Sequence, residues 1–488
     1  MSGHDKVSIT PLSIWDQSTS RFHIRLVLCF GVENDQREQV TAHLRTTLDR
    51  LARLRPEFAG RLLLGERRGW VYLRESPEHS IPFDTCNIEG EFGYTYEELK
   101  AQSFPAKAFV HPRFGYRGGI ADACCRVPVA VVRAFFIDGG MLLATFLHHT
   151  FGDGECMLEF LRAFAAQSRG VHIKGRGTRS LEFTRSKVAA EKRPSFEQLL
   201  ARCPEFVRTE PHLGPNQPIA RPGGRPMDSY VRDGKIFVFT NATIRHLKEV
   251  VSEHAPSARP PSSYVVLASL IWAHAASARL QTETHEPTWG DAGEAVMTNP
   301  VNWRYRAFTD RNGEYYGNAA TLAQTRVGTE ELRRACGDEA EWARLARRLE
   351  ARIRAVDDAY VRARVEMFES APDPRELGLV MDPRVPQDLA FNTWREFGAD
   401  TVWDLGVSAQ RQQNGSSDGA NGEDGAVGGV RPDKLRRSQD EWNVGGTLIL
   451  PAREGSDVYE VLLTIPRPAM DLLRADGGFM KWVDGVLD

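Results

Sequence analysis

The sequence lacks long apolar runs and lacks an excess of either charge. No stretch approaches the roughly 18 uninterrupted apolar residues of a membrane-spanning helix, and the longest apolar runs, such as Met141–Leu147, have the length of a strand. Lys and Arg total 62 against 65 for Asp and Glu, which gives a net charge of -3 at pH 7. A chain with this balance has no broad cationic surface, so nucleic acid is not an expected partner.

Cysteine is scarce and irregularly spaced. The seven cysteines include no C-x-x-C pair, and their odd number and spacing fit neither a disulfide framework nor a zinc site. The opening residues also lack the apolar segment and cleavage pattern of a secretory signal. We therefore expect a reducing, cytoplasmic setting and no contact with membranes.

Three glycine-based motifs are missing as well. The chain has no G-x-G-x-x-G fingerprint and no P-loop, so nicotinamide, flavin and nucleotide-phosphate chemistry have no support in the sequence. No serine elbow of the G-x-S-x-G type joins a predicted strand to a predicted helix, which argues against an α/β-hydrolase.

What is present is enough apolar material for two cores. Hydrophobic residues make up 41% of the 488 positions and charged residues 26%, and a chain of this length is natural for two domains. The stretch Pro211–Arg225 is rich in Pro, Gly and Arg and predicts a crossover between them. We therefore divide the chain into an N-terminal domain (1–215), a linker (216–228) and a C-terminal domain (229–488).

Strand and helix patterns alternate in both halves. The first half predicts the following elements in order: strand Arg21–Val32, helix Asp35–Arg55, strands Val127–Ile137 and Met141–Leu147, and helix Glu155–Ala166. The second half predicts strand Lys235–Thr240, a helix from Asn241, helix Ser262–Leu280, a strand ending at Asn299-Pro300, and one or two surface helices within Glu330–Phe368. The polar segment Ala409–Gly429 predicts a disordered loop.

The most informative motif is HHTFGDG, which spans residues 148–154 and directly follows a predicted strand. Side chains at such a strand end are both exposed and well positioned. An imidazole at His149 suits a general base that takes a proton from an attacking alcohol. Asp153 is spaced less well for a direct dyad than for a brace, in which it turns away, pairs with a distant arginine and fixes the backbone that presents His149.

This motif has three other interpretations. Two adjacent histidines can simply end a strand and pack into the core, but the following glycines and acid make this less favoured. A metal site is disfavoured, because His148 and His149 point to opposite faces of a strand and no third His or Cys supports them. Cys156, on the opening turn of the next helix, is the candidate for covalent catalysis, although a lone cysteine there is more often a core residue.

Six ordered segments resemble the BAHD acyltransferase family, and particularly its fungal secondary-metabolite (trichothecene 3-O-acetyltransferase-like) branch. They are ITPLSIWDQS; LRTTLDRLARLRPEFAGRL; FFIDGGMLLATFLHHTFGDG with its H-x-x-x-D motif; PSSYVVLASLIWAHAASARL; NPVNWRYR with Tyr316-Gly317-Asn318; and GGTLILPAREGSDVYEVLLTI. The resemblance covers nearly the whole chain. It implies an α/β (α+β) fold of two chloramphenicol-acetyltransferase-like domains, each a mixed β-sheet flanked by helices, with a channel between them.

The resemblance also implies a reaction. A monomer would transfer an acyl group, acetyl in particular, from acetyl-CoA or another acyl-CoA co-substrate to a hydroxyl of a small molecule, with no bound cofactor or metal. His149 and Asp153 would be the catalytic residues. Asn392, Thr393 and Trp394, in place of the family's T/S-S-W segment, would form an oxyanion-stabilising wall.

One family signature is reduced here. The D-F-G-W-G motif survives only as Asp404 and Gly406 within DLGVS, a motif that in the family supports structure away from the reaction centre. The resemblance implies that Asp404 pairs with Arg304, or with Arg306 as second choice.

Two other functions remain open on the sequence. HHTFGDG also satisfies the H-H-x-x-x-D-G pattern of peptide-synthetase condensation domains, so a free-standing domain of that type is the alternative enzyme. The reduced D-F-G-W-G motif leaves room for a non-catalytic binding protein on the same scaffold.

Overall fold

The architecture was obtained as a computed structural model. It describes residues 7–116, 126–171, 194–282, 293–308, 315–407 and 429–488, apart from 213, 222, 223, 225, 227, 228 and 444. The predicted Ala409–Gly429 loop, except Gly429, and Cys124 and Cys125 lie outside these residues.

Strands of the first half, in chain order, are β1 (Ser8–Pro11), β2 (His23–Gly31), β3 (Arg61–Leu64), β4 (Val71–Glu75), β5 (Phe83–Asn87), β6 (Val127–Pro128), β7 (Ala130–Ile137), β8 (Gly140–His148), β9 (Phe206–Arg208) and β10 (Gln217–Pro218). Its helices are α1 (Ile14–Gln17), α2 (Arg37–Leu54), α3 (Pro56–Ala59), α4 (Glu89–Phe92), α5 (Tyr96–Ala101), α6 (Gly154–Ser168) and α7 (Phe196–Leu200).

Strands of the second half are β11 (Arg232–Thr240), β12 (Glu294–Asn302), β13 (Ala320–Gly328), β14 (Leu377–Leu379), β15 (Leu389–Thr393), β16 (Lys434–Arg436), β17 (Gly446–Ile449), β18 (Val458–Pro466) and β19 (Gly485–Leu487). Its helices are α8 (Asn241–His254), α9 (Ser263–Gln281), α10 (Thr329–Gly337), α11 (Glu339–Arg354), α12 (Asp358–Ser370), α13 (Arg467–Ala475) and α14 (Gly477–Met480).

Two large sheets organise the described residues. One has five strands in the order β16-β2-β8-β7-β5, and the other has seven in the order β13-β12-β15-β17-β18-β11-β19. Both mix parallel with antiparallel pairs: β5 with β7, β12 with β15, and β15 with β17 are parallel. Helices cover the sheets, α2 and α6 packing together beside the first, and α8, α9, α11 and α13 beside the second. This confirms the predicted fold class of mixed sheets flanked by helices.

The two sheets are not built from separate halves of the chain. The second-half strand β16 pairs with β2, and Trp403 and Leu405 are buried in the core beside the five-stranded sheet. Within the predicted linker 216–228, the described residues Gln217–Pro218 form β10, which pairs with β14. The position of the domain boundary stays a prediction.

The charged segment Glu330–Phe368 was predicted as one or two surface helices, and this is wrong. It contains three helices, because Asp338 and Asp357 each accept a hydrogen bond from a backbone amide three residues on and begin a new helix. The helices also have buried faces, with Trp342 and Leu345 almost fully enclosed.

None of the helices within the described ranges has both the length and the apolarity to cross a bilayer.

Candidate active site

The end of strand β8 carries the site. All nine residues of β8 are buried, and β8 pairs with β2 and β7 on either side. His149 comes one residue after the strand, and its backbone amide donates to the carbonyl of Phe22 at 2.7 Å. The buried strand therefore fixes the backbone of His149, while its side chain is only partly buried.

The imidazole of His149 faces the side chain of Asn318. Its Nδ1 lies 3.3 Å from Oδ1 of Asn318. The amide nitrogen of Asn318 donates to Oδ1 of Asp16 and to the carbonyl of His149, at 2.8 Å in each case. Because two oxygens face that nitrogen, the amide orientation is set by its surroundings, and its oxygen must be the atom that faces His149.

This contact selects the tautomer of His149. Asn318 Oδ1 can only accept, so Nδ1 of His149 carries the proton and Nε2 keeps its lone pair. Burial lowers the pKa of His149 below its ordinary value, although Asp153, Asn318 and Asp16 oppose this shift. At neutral pH the imidazole is therefore uncharged and able to accept a proton at Nε2.

Asp16 anchors Asn318 from the other side. It is fully buried in helix α1 and also accepts the backbone amide of Asn318 at 2.9 Å. Ser13, the N-cap of this helix, donates its hydroxyl to Asp16 at 2.9 Å. The segment near the N-terminus thus fixes the position of Asn318, and Asn318 in turn contacts His149.

Asp153 turns away from His149 and pairs with Arg304. Nη1 and Nη2 of Arg304 each lie 2.9 Å from one carboxylate oxygen of Asp153, and both side chains are almost completely buried. Burial alone would raise the pKa of Asp153, but Arg304 and the amide of Ala319 hold it below its usual value. The predicted pairing of Asp153 with a distant arginine is confirmed, while its role as a brace for His149 stays a prediction.

The predicted pairing of Asp404 with Arg304 is therefore wrong, because Arg304 is already bound to Asp153. Asp404 instead accepts the backbone amide of Gly406 at 2.7 Å, and its own amide donates to Ser168 at 3.0 Å. Ser168 is the last residue of helix α6 and Asp153 is the N-cap at its other end, so Asp153 and Asp404 lie about 20 Å apart. The second choice, Arg306, binds the carbonyl of Ile353 instead.

Gly406 has a structural reason to remain. Its φ of +75° favours glycine, and a Cβ at this position would lie 2.5 Å from Cβ of His43 on helix α2. Asp404 and Gly406, which remain from the D-F-G-W-G motif, thus pack their loop against helix α2 and the C-terminal end of helix α6.

His148 and Cys156 occupy the core rather than the reaction centre. His148 is fully buried, stacks edge-on with His23 at 4.7 Å, and burial lowers its pKa well below the ordinary value. Cys156 is also fully buried, and its thiol lies 3.5 Å from the carbonyl of Gly317.

The predicted oxyanion wall lies on strand β15 and the turn after it. Asn392 uses Oδ1 to accept the amide of Thr393 at 2.7 Å, which leaves its Nδ2 donors free. Trp394 stacks on Phe397 with ring centroids 5.6 Å apart. Phe397 in turn covers Gly154, where a Cβ would lie 1.7 Å from its ring. The wall and the HHTFGDG loop are therefore joined through Phe397.

Substituting Gly154 by Ala should destabilise the protein by about 1–3 kcal/mol, because the new methyl group displaces the Phe397 ring. Thermal unfolding of the variant measures this. The matched control is Gly90→Ala, also at a helical glycine but with no atom within 4 Å of the added Cβ. Equal melting temperatures for Gly154→Ala and wild type would show that the ring moves aside without cost.

The sequence patterns did not indicate the roles of Asn318 and Asp16. Both stand in segments that carry the family resemblance, but neither was assigned to the site. Asn318 lies 169 positions from His149 and Asp16 lies 302 from Asn318, so only the folded chain brings them together. Two surface concavities of about 580 Å³ each, at helix α2 and at helix α6, are lined by other residues. No cluster of three or more His, Cys, Asp or Glu side chains in the described part of the chain has a metal-binding arrangement.

Comparison of the sequence with known proteins identifies the family of the chain. The sequence model of the Transferase family matches residues 4–480. The chain belongs to this family, as the resemblance to BAHD acyltransferases implied.

Curated relatives are distant and match only in part. Acyltransferase cm3D of Cordyceps militaris is 25% identical over 174 residues, which cover 33% of this chain and 36% of that protein. The eremophilane O-acetyltransferase prx11 of Penicillium rubens is 24% identical over 308 residues, which cover 56% and 62%. The chain thus spans between about a third and just under two thirds of the length of these relatives.

Solved structures share the fold along the whole chain. F. graminearum TRI101 complexed with coenzyme A and T-2 mycotoxin gives a TM-score of 0.73 at 15% identity, covering 99% of this chain and 100% of that one. Vinorine synthase gives 0.59 at 16% identity, covering 97% and 94%. At these identities the likeness establishes the fold alone.

Proposed function

We propose that this protein is an acyl-CoA-dependent O-acyltransferase that transfers an acetyl group to a hydroxyl of a small secondary metabolite. The observation that carries the proposal is the contact between His149 Nδ1 and Asn318 Oδ1, which leaves Nε2 as a base. Membership of the Transferase family and the similarity to an O-acetyltransferase support the same class of reaction.

In the proposed mechanism the transfer is direct. Nε2 of His149 takes the proton of the acceptor hydroxyl as its oxygen attacks the thioester carbonyl. Asn392 Nδ2, or a backbone amide near Thr393 and Trp394, stabilises the negative charge on the tetrahedral oxygen. The intermediate then expels coenzyme A, and the imidazolium returns the proton to the leaving thiolate.

The test is acyl transfer from free acetyl-CoA by the purified chain. Acetyl-CoA is incubated with a small-molecule extract of the source organism, and new acetylated masses and release of free thiol are followed. Transfer from acetyl-CoA supports the proposal. Transfer only from an acyl group on a carrier protein would favour a condensation-type domain, and no transfer from either donor would favour a binding protein.

We propose further that the protein acts as a cytoplasmic monomer. Light scattering of the purified protein and fractionation of the source cells test these two points.

We expect no acyl-enzyme intermediate. Cys156 is enclosed in the core with its thiol against a backbone carbonyl, so Cys156→Ala should keep most of the activity and kinetics should be sequential. The measurement is intact-protein mass spectrometry after incubation with acetyl-CoA alone. A stable gain of one acetyl group that is absent from Cys156→Ala would overturn direct transfer and make Cys156 the nucleophile.

A further inference from the structure

One face of the seven-stranded sheet is turned towards the first half of the chain. Ala390 lies opposite Gly446 in the β15–β17 register, and Asn392 lies opposite Leu448. Residues opposite one another in a sheet share a face, so these four positions point the same way. Leu448 on this face packs in a small cluster with Ala106 from the first half of the chain. The face therefore looks towards the N-terminal part of the molecule and carries Asn392 of the proposed oxyanion wall.

Arg437 reaches over this face from the other sheet. It follows directly after β16, which is an edge strand of the five-stranded sheet. Its Nη1 lies 3.7 Å from the point where a Cβ of Gly446 would stand. The guanidinium of Arg437 thus lies beside Gly446, where the lack of a side chain leaves room for it.

The guanidinium of Arg437 has no hydrogen-bond or ion-pair partner among the described residues. Its neighbour Arg25 is neutralised by Asp440 at 2.7 Å, and the adjacent Arg436 by Glu460 at 2.8 Å. Dense surroundings and the charge of Arg25 lower the pKa of Arg437 to about 10, which leaves it cationic at neutral pH. Because Arg437 is half-buried and has no counterion among the described residues, its guanidinium is available to an anionic group of a ligand.

We propose, resting on the acyltransferase function above, that Arg437 binds a carboxylate carried by a small-molecule substrate. A planar guanidinium matches a carboxylate with two parallel hydrogen bonds. The free Nδ2 of Asn392 adds a second donor to the same face, so this face favours a ligand rich in acceptor oxygens.

Position favours the acceptor as the source of that carboxylate. Asn392 lies on the strand next to Gly446 and two residues further along, which puts the two backbones about 8 Å apart. Since Arg437 lies beside Gly446 and Asn392 belongs to the proposed oxyanion wall, Arg437 is close to the expected position of the reacting carbonyl. The phosphates of coenzyme A are separated from that carbonyl by the pantetheine arm. Arg437 and His149 are separated by two strand spacings across β2 and by about four residues along β8, which puts their backbones about 16 Å apart. The arginine side chain and a small hydroxy acid can together bridge this separation.

The experiment compares hydroxy acids with their methyl esters. A panel of hydroxycarboxylic acids and the matching esters is supplied with acetyl-CoA, and kcat/KM is measured from thiol release. Wild type should prefer the acids at least tenfold. Arg437→Gln should remove this preference, Arg437→Lys should keep part of it, and the exposed Arg53→Gln on helix α2 should retain it in full.

Two further measurements separate the possible sources and failures. A preference for malonyl-CoA over acetyl-CoA that Arg437→Gln removes would place the carboxylate on the acyl group instead of the acceptor. Calorimetry measures the binding of the same acids and esters, so it tests the role of Arg437 even if no acyl transfer occurs. An absence of transfer with preferential binding of the acids would count against the proposed function alone. Equal binding and turnover of acids and esters, or a preference that survives Arg437→Gln, would overturn the assignment of Arg437.

Discussion

His149→Ala should lower kcat/KM by about 10²–10⁴-fold while the protein stays folded. This is the loss expected when a general base is removed and the rest of the site remains. The backbone of His149 is held by β8 and by the carbonyl of Phe22, and the side chain is only partly buried, so its removal should cost little stability. Activity with acetyl-CoA and thermal unfolding of the same preparation measure the two effects.

The matched control is the neighbouring residue. His148→Ala removes a fully buried ring that stacks on His23, so it should lower the melting temperature more and the turnover less than His149→Ala. Near-normal turnover in a folded His149→Ala variant would exclude His149 as the base.

The pH profile gives an independent readout of the same prediction. A general base works only when uncharged, so the rate falls as the pH drops through the pKa of His149. Because burial lowers that pKa, the plateau should extend further into acid than an ordinary histidine with a pKa near 6.5 allows. An acid limb centred above 6.5 would show that a different group titrates.

Local patterns in the sequence predicted the elements that position the site. Alternating and continuous apolar runs identified β2, β7 and β8, and the spacing of Val40, Leu44 and Leu48 identified α2. The turn Asp138-Gly139-Gly140 predicted the hairpin of β7 and β8, which ends at His148, directly before His149. These features depend on residues close in the chain, and they are the ones that periodicity and turn chemistry describe.

Contacts between distant segments were predicted less well. The resemblance paired Arg304 with Asp404, whereas the folded chain brings Arg304 to Asp153 and leaves Asp404 at the far end of α6. No periodicity indicates that β16 joins the sheet of the first half, or that Asn318 reaches His149. Such pairings depend on how sheets and helices pack, and a single sequence contains no local signal for them.

The pair Asp153–Arg304 explains how a carboxylate that does not touch the imidazole can still govern it. Arg304 also donates to the carbonyl of Gly317, and Asp153 also accepts the amide of Ala319 at 2.8 Å. These two residues flank Asn318. The buried pair therefore fixes the backbone on both sides of the residue that sets the tautomer of His149.

Asp153→Asn should accordingly destabilise the protein by about 3–5 kcal/mol, because it leaves the buried Arg304 without its counterion. Turnover should fall as well, because the backbone on both sides of Asn318 is no longer fixed by the Asp153–Arg304 pair. Replacing both partners, as Asp153→Leu with Arg304→Met, should restore part of the stability but not the turnover. The exposed pair Glu91–Arg113 provides the control, where Glu91→Gln should leave the free energy of unfolding almost unchanged.

The pH dependence of stability separates this brace from a direct catalytic role. The folded-state pKa of Asp153 is lowered, so its contribution is complete above the unfolded value of about 3.9 and is lost as the pH falls through the lower folded value. Wild type should therefore lose its stability advantage over Asp153→Asn in acid, as followed by urea unfolding between pH 7 and pH 2. If Asp153→Asn instead unfolds like wild type at every pH while turnover is lost, Asp153 acts on His149 itself and the brace is the wrong mechanism.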